Sequence, residues 1–134
     1  MLEVASLSQG EIARTKDMAR QQDIPHVFLT KIILQLVRAG LLRSFRGAGG
    51  GIGLARPKEE ITLLQIVEAV EGPIALNRCV VRAGECPRDK TCPVHPVWVK
   101  AQANFSSLLQ TTRLADLVDG ASSRDSQAAI TGER

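Results

Sequence analysis

Leu29, Ile32, Ile33, Leu36 and Val37 fall at i, i+3, i+4, i+7 and i+8, the repeat that gives a helix one buried face. That helix is expected from His26 to Gly40, with the glycine closing it as a left-handed cap. Upstream the apolar signal is thinner. A short helix is expected over roughly Leu2 to Ser8, ended by Gly10. A second is expected to begin at Thr15, whose hydroxyl is suited to accept from first-turn amides, while Asp17 complements the helix dipole. It carries Met18, Ala19 and Gln22, and Gln22-Asp23-Ile24-Pro25 breaks it just before the stronger pattern begins.

After Gly40 the period changes. Leu41 to Phe45 alternates toward a strand and Ile52 to Ala55 reads as its partner. Between them Arg46-Gly47-Ala48-Gly49-Gly50-Gly51 supplies a hairpin tip that reaches positive φ without steric cost. Thr62 and Gln65 then form a T-x-x-Q capping box ahead of Leu63, Ile66, Val67 and Val70, and Gly72-Pro73 stops that helix. From Leu76 to Val94 periodicity is lost. A long helix follows from about Pro96 to Thr111, with Trp98, Ala101, Phe105, Leu108 and Leu109 on one stripe. The Ser-, Ala- and charge-rich stretch from Gly120 is expected to be a disordered tail. The fold class is therefore mainly α with a small β-hairpin wing. It divides into a winged helix-turn-helix unit over residues 1–75, a cysteine-rich loop over 76–96, a dimerisation helix over 97–118 and the tail over 119–134.

A chain of 134 residues with 44% hydrophobic content can bury a core without staples. Its net charge of +3 suits a polyanionic partner only if the cations gather on one face. Two helices joined by a tight turn fit the major groove, although any helical hairpin packs this way, and the wing is what favours DNA. Arg43, Arg46 and Arg56 flank a tip where Gly47 and Gly49 let the backbone approach a narrow minor groove closely. A nucleotide-binding loop is disfavoured, because no Lys-Ser or Lys-Thr follows the glycines and no full G-x-G-x-x-G opens a helix. The stripe on the long helix calls for a second subunit, and a two-fold dimer matches a palindromic operator. There is no cationic leader with an apolar core, and no apolar run approaches the roughly 18 residues of a membrane span. A cytoplasmic protein with reduced thiols and no membrane partner is expected.

Cys79, Cys86, Cys92 and His95 are spaced C-x6-C-x5-C-x2-H. Structural zinc sites favour tight pairs such as C-x2-C, whereas long gaps suit a loop wrapped around an iron-sulfur cluster, with His95 replacing a thiolate at the fourth position. A zinc-stapled regulator and a redox or cluster carrier acting through protein partners stay open at this point. A Cys92-His95 catalytic dyad has no orienting third group or oxyanion site, so no enzyme is expected.

Ile24-Pro25, Leu29, Leu36, Ala39-Gly40-Leu41, the wing, Leu54-Ala55-Arg56-Pro57, the run from Glu60 to Gly72, the three cysteines and Leu114-Ala115-Asp116-Leu117 resemble the Rrf-type winged-helix regulators. The resemblance covers about residues 11 to 118. It implies a homodimeric transcription factor, read here as a repressor, whose cysteine loop holds a 2Fe-2S or 4Fe-4S cluster and senses iron, redox state or nitric oxide. By position it implies that Pro25, Val27, Phe28, Thr30 and Lys31 face the major groove and Arg46 the minor groove, with Cys79, Cys86, Cys92 and His95 at the cluster. The histidine three residues after the last cysteine matches the histidine ligand of the family's cluster regulators and favours 2Fe-2S. Two departures stand out: family members carry a longer first helix before the segment matching Leu2, so the chain is expected to be N-terminally short, and the first cysteine gap is one residue longer.

Overall fold

In the computed structural model, which describes residues 1–8 and 10–121, the elements follow in the order α1 (Leu2–Ala5), α2 (Thr15–Gln21), α3 (His26–Arg38), β1 (Leu42–Phe45), β2 (Gly51–Leu54), α4 (Leu63–Glu71) and α5 (His95–Thr111). Residues 114–121 form a further helix, α6. Single 3-10 turns lie at Lys58–Glu60 and Arg78–Val80.

The strong apolar repeat of α3 places Leu29, Ile33 and Leu36 in the core. The helix stops where the amides of Gly40 and Leu41 turn back to the carbonyls of Val37 and Leu36, each at 3.0 Å, with Gly40 at φ +72°. This is a Schellman closure, and the buried pair Leu36 and Leu41 supplies its apolar contact. The turn between α2 and α3 closes in the same way. Ile24 N–H donates to the Ala19 carbonyl at 2.9 Å, and Asp23 occupies the left-handed position at φ +51°.

Thr15 is not the cap of α2. Arg14 is, and its carbonyl accepts from Asp17 and Met18 at 3.1 Å each. The helix starts one residue early because Ala13 is pinned to the wing: Ala13 and Ile52 exchange both backbone hydrogen bonds at 2.8 Å. α1 is also shorter than the expected Leu2–Ser8, since the Ser8 amide is drawn to the Glu11 carboxylate at 3.0 Å.

The hairpin pairs Leu42 with Leu54, Arg43 with Gly53, Ser44 with Ile52 and Phe45 with Gly51. α4 begins on the capping box, with Gln65 N–H donating to the Thr62 hydroxyl at 3.1 Å and Thr62 N–H donating to the Gln65 side chain at 3.0 Å. After α5 the chain returns to the segment that precedes α4. Leu63 N–H donates to the Thr112 carbonyl at 2.9 Å and Leu114 N–H to the Ile61 carbonyl at 2.8 Å. Ile61 and Leu114 are 0% and 1% exposed, and Leu114 and Val118 join Val4, Met18, Leu36 and Ile52 in one core. The expected tail lies outside the described residues beyond Ala121, and residues 119–121, which the sequence assigns to that tail, are helical. No helix among the described residues is long and apolar enough to cross a membrane.

Candidate DNA-reading surface and cysteine pocket

α3 presents three aspects to solvent. On the side facing the wing, His26 and Thr30 border an open groove of about 600 Å³ whose opposite wall is formed by Ser44, Phe45, Gly47 and Gly50. On the side facing α4, Phe28, Lys31 and Arg38 border a smaller groove with Val70. Between them an outward ridge runs through the exposed Val27, Lys31 and Leu34. Pro25 is the exposed N-cap residue. The Thr30 hydroxyl donates to the His26 carbonyl at 2.8 Å. No Asp or Glu occurs from His26 to Arg38, so α3 itself carries no carboxylate, while Asp17 borders the groove beside the wing and Glu71 the one beside α4.

The wing divides its candidate residues. Arg46 is exposed at the base of the tip, beside Gly47 at φ +106°. Arg43 lies with Phe45 on a cleft shared with Leu7, Glu11 and Glu59, and does not border the groove beside α3. Gly47 needs its positive φ, whereas Gly49 has open space around it. The glycines that sterics demand are Gly50 and Gly51. A Cβ at Gly50 would overlap the Phe45 carbonyl, and one at Gly51 the Ala13 carbonyl.

Arg14, Lys16 and His26 also line the groove beside the wing, and sequence reasoning did not single them out. They sit at helix starts, where no periodicity marks them. The signal that could have found them is the cationic run Arg14-Thr15-Lys16, which becomes relevant only once Ala13 is known to join β2.

The second candidate region lies at the foot of α5. Cys79, Cys86, Cys92 and His95 all line one cavity of about 210 Å³, together with Val94 and Trp98. Cys79 sits on the 3-10 turn capped by the Asn77 side chain, which accepts from Arg78 N–H at 2.8 Å. Between Cys79 and Cys92 the loop is held by the Asp89 carboxylate, which accepts from Gly84 N–H at 2.7 Å, with Gly84 at φ +82°. Cys92 N–H donates to the Arg88 carbonyl at 2.7 Å, and the Cys92 carbonyl in turn accepts from His95 N–H at 3.2 Å. His95 opens α5, and Trp98 follows one turn later.

All three thiols are half-buried and unpaired in disulfides. Among the described residues, His95 Nδ1 is a buried side-chain atom without a hydrogen-bond partner. Such an orphan costs about 1–3 kcal/mol unless a ligand satisfies it. Among the described residues no group of three His, Cys, Asp or Glu side chains is drawn close enough to hold one metal ion. The donor set instead rings a cavity wider than a single ion needs, with soft thiolates and an imidazole, and in that respect it fits a multi-iron group.

Gln102 ties this region to α5. Its Nε2 donates to the Ile74 carbonyl at 2.9 Å and to Ser106 Oγ at 3.1 Å, while its Oε1 accepts from Leu76 N–H at 2.8 Å. The strand of chain entering the cysteine loop is thereby clamped along the helix.

Comparison with known proteins agrees with this architecture. The profile of the Rrf2 family, described as an iron-dependent transcriptional regulator, matches residues 1–120. The HTH-type transcriptional regulator IscR of Cereibacter sphaeroides is 32% identical over 119 residues, covering 87% of this chain and 77% of that one. Among solved structures, CymR, the global cysteine regulator of B. subtilis, superimposes with a TM-score of 0.71 at 27% identity, covering 88% of this chain and 86% of that one. IscR of T. potens gives 0.70 at 26% identity, covering 90% and 78%. These relatives are regulators rather than enzymes. The chain belongs to the Rrf2 family of transcriptional regulators, with a winged helix-turn-helix built to bind DNA.

Proposed function

We propose that this protein is a cytoplasmic homodimeric repressor that binds palindromic double-stranded DNA and whose operator affinity follows an iron-sulfur cluster held by Cys79, Cys86, Cys92 and His95. The observation that carries the sensor reading is the convergence of three thiols and an orphaned imidazole nitrogen on one cavity at the foot of α5. A cluster held there would supply a redox-active, charged group, and His95, three residues after Cys92 where an imidazole can replace a thiolate on one iron, favours 2Fe-2S over 4Fe-4S. The chain's own residues do the rest. Asp89 holds the loop folded, Val94 and Trp98 give the cavity an apolar wall, and Gln102 links the loop entrance to α5. A change of order in the loop therefore reaches the helix proposed to set the spacing of two reading heads. The signal, whether iron supply, redox state or nitric oxide, acts in this reading through the occupancy or state of that cavity.

Anaerobic purification followed by absorption spectroscopy with iron and sulfide analysis tests the cofactor. Visible absorption with matching iron and sulfide supports it, whereas colourless protein with stoichiometric zinc overturns it. Operator binding across a salt series, with loaded and apo protein side by side, tests the switch. Equal affinity of the two forms at every salt concentration would remove the cluster as the signal for that site.

On the DNA side, Pro25, Val27, Phe28, Thr30 and Lys31 are proposed for the major groove, and Arg46, Gly47 and Gly49 for the minor groove. Arg43, on the wing's other cleft, is reserved for phosphate. Arg46→Ala is expected to weaken operator binding by about 1–3 kcal/mol with no change in melting temperature, since the side chain is exposed and takes no part in the core. Fluorescence anisotropy and thermal denaturation on the same sample check both halves of this expectation.

The dimer is proposed to form on α5. Its apolar stripe divides: Trp98, Ala101 and Leu109 are half-buried against their own chain, while Val97, Phe105 and Leu108 are exposed, Leu108 at 63%. Leu108→Glu should release monomers, because an unpaired charge at an apolar interface costs several kcal/mol. An intact dimer in sedimentation velocity would place the interface elsewhere.

A further inference from the structure

Val27 is 70% exposed and Phe28 57%, both in the first turn of α3. A β-branched residue there adds nothing to helix stability, and an exposed phenylalanine on a small domain gains nothing from water. The N-terminal residues of a recognition helix are the ones that reach base edges. At this end of α3 the polar side chains are His26, turned to the groove beside the wing, and Thr30. Thr30 directs its hydroxyl proton to its own backbone, and neither Val27 nor Phe28 carries the amide that reads adenine or the carboxylate that reads cytosine. The apolar feature a base pair presents in the major groove is the thymine 5-methyl group.

The charge pattern points to the same partner. α3 has no carboxylate along its length, and Lys31, one turn after Val27, borders the same groove as Phe28, which Glu71 closes on the α4 side. An apolar first turn with a lysine one turn further along the helix matches a methyl group beside a phosphate.

We infer that Val27 and Phe28 are specificity-determining residues that pack against thymine methyl groups, so that each operator half-site must present thymine where the first turn of α3 enters the major groove. The inference rests on α3 being the reading helix. It assigns discrimination at those positions to apolar contact, with Lys31 and the wing arginines supplying affinity. Burying one methyl group is worth about 0.8 kcal/mol, which corresponds to about fourfold in affinity per contact.

The test uses the full-length protein, purified anaerobically, and an operator selected from a random-sequence pool at physiological salt. Replacing single thymines by uracil deletes the methyl group and leaves base pairing intact. The expected result is a loss of about fourfold at one or two positions, repeated symmetrically in both half-sites. That loss should vanish in Val27→Ala or Phe28→Ala, and Val27→Thr, which keeps a methyl, should retain most of it. Both residues are exposed, so folding is not at stake, which thermal denaturation of each variant checks. If an operator with every thymine replaced is bound as tightly while sequence preference persists, α3 reads DNA by other contacts and the methyl inference falls. If both alanine variants bind the selected operator like the parent, the apolar pair lies off the DNA, and a protein partner takes its place as occupant. Failure to enrich any sequence would overturn the reading head itself, an outcome separate from the other two.

Discussion

Leu114→Ala is expected to lower the unfolding free energy by about 2–5 kcal/mol, the range for truncating a leucine that leaves a cavity in a packed core. The residue is 1% exposed, and its amide fixes the return of the chain to Ile61. Against a typical total of about 5–15 kcal/mol, this is enough to leave a marginal domain. Urea denaturation should show a lower midpoint with an unchanged slope. A loss below about 1 kcal/mol would mean that α6 lies outside the cooperative unit and that the core closes without it.

Cys92→Ala is expected to abolish the visible absorption of anaerobically purified protein while leaving the apo fold unchanged. The hydrogen bonds that shape the loop at this position are made by its backbone: the amide donates to Arg88 and the carbonyl accepts from His95. Removing the sulfur therefore deletes a donor to the cavity and little else. His95→Ala should instead leave a labile or shifted chromophore, with the three thiolates retained and another ligand taking the fourth position. If operator affinity follows the cavity, Cys92→Ala should lock the protein at its apo value. A shift of about 1.4 kcal/mol would appear as a tenfold change in affinity. Retention of full absorption by Cys92→Ala would remove that thiol from the ligand set.

The parts of the fold that could be read from sequence are those fixed by neighbours in the chain. α3, its glycine closure, the hairpin and the Thr62 capping box each depend on residues within a few positions of one another, and each forms as expected. The family resemblance is likewise matched by the comparisons. What escaped was set by contacts at long range. Thr15 satisfies every local rule for a cap, but the bridge from Ala13 to Ile52 moves the cap of α2 to Arg14. The crowding of Gly50 and Gly51 depends on where Phe45 and Ala13 place their carbonyls, so a glycine run alone could not separate them from Gly49. Leu108 and Leu109 look alike in a helical stripe, and only packing shows that one is exposed and the other half-buried. At the cysteine pocket the grouping of Cys79, Cys86, Cys92 and His95 was visible from spacing, while the clamp by Gln102 was not, since a glutamine in a helix has no signature until Ile74 and Leu76 come alongside.

The bridge between Thr62 and Arg113 orders events during synthesis. Its two sides are separated by roughly fifty residues, an interval whose closure carries an entropic cost that grows only slowly with length. At translation rates of about 5–20 residues per second, the cysteine loop and α5 leave the ribosome some seconds after α4 and before Leu114 and Val118 arrive to complete the core. The domain that binds DNA is thus finished last, and the thiols leave the ribosome while it is still open. If the pocket holds the proposed cluster, a nascent chain has the opportunity to acquire it before the DNA-reading domain is complete.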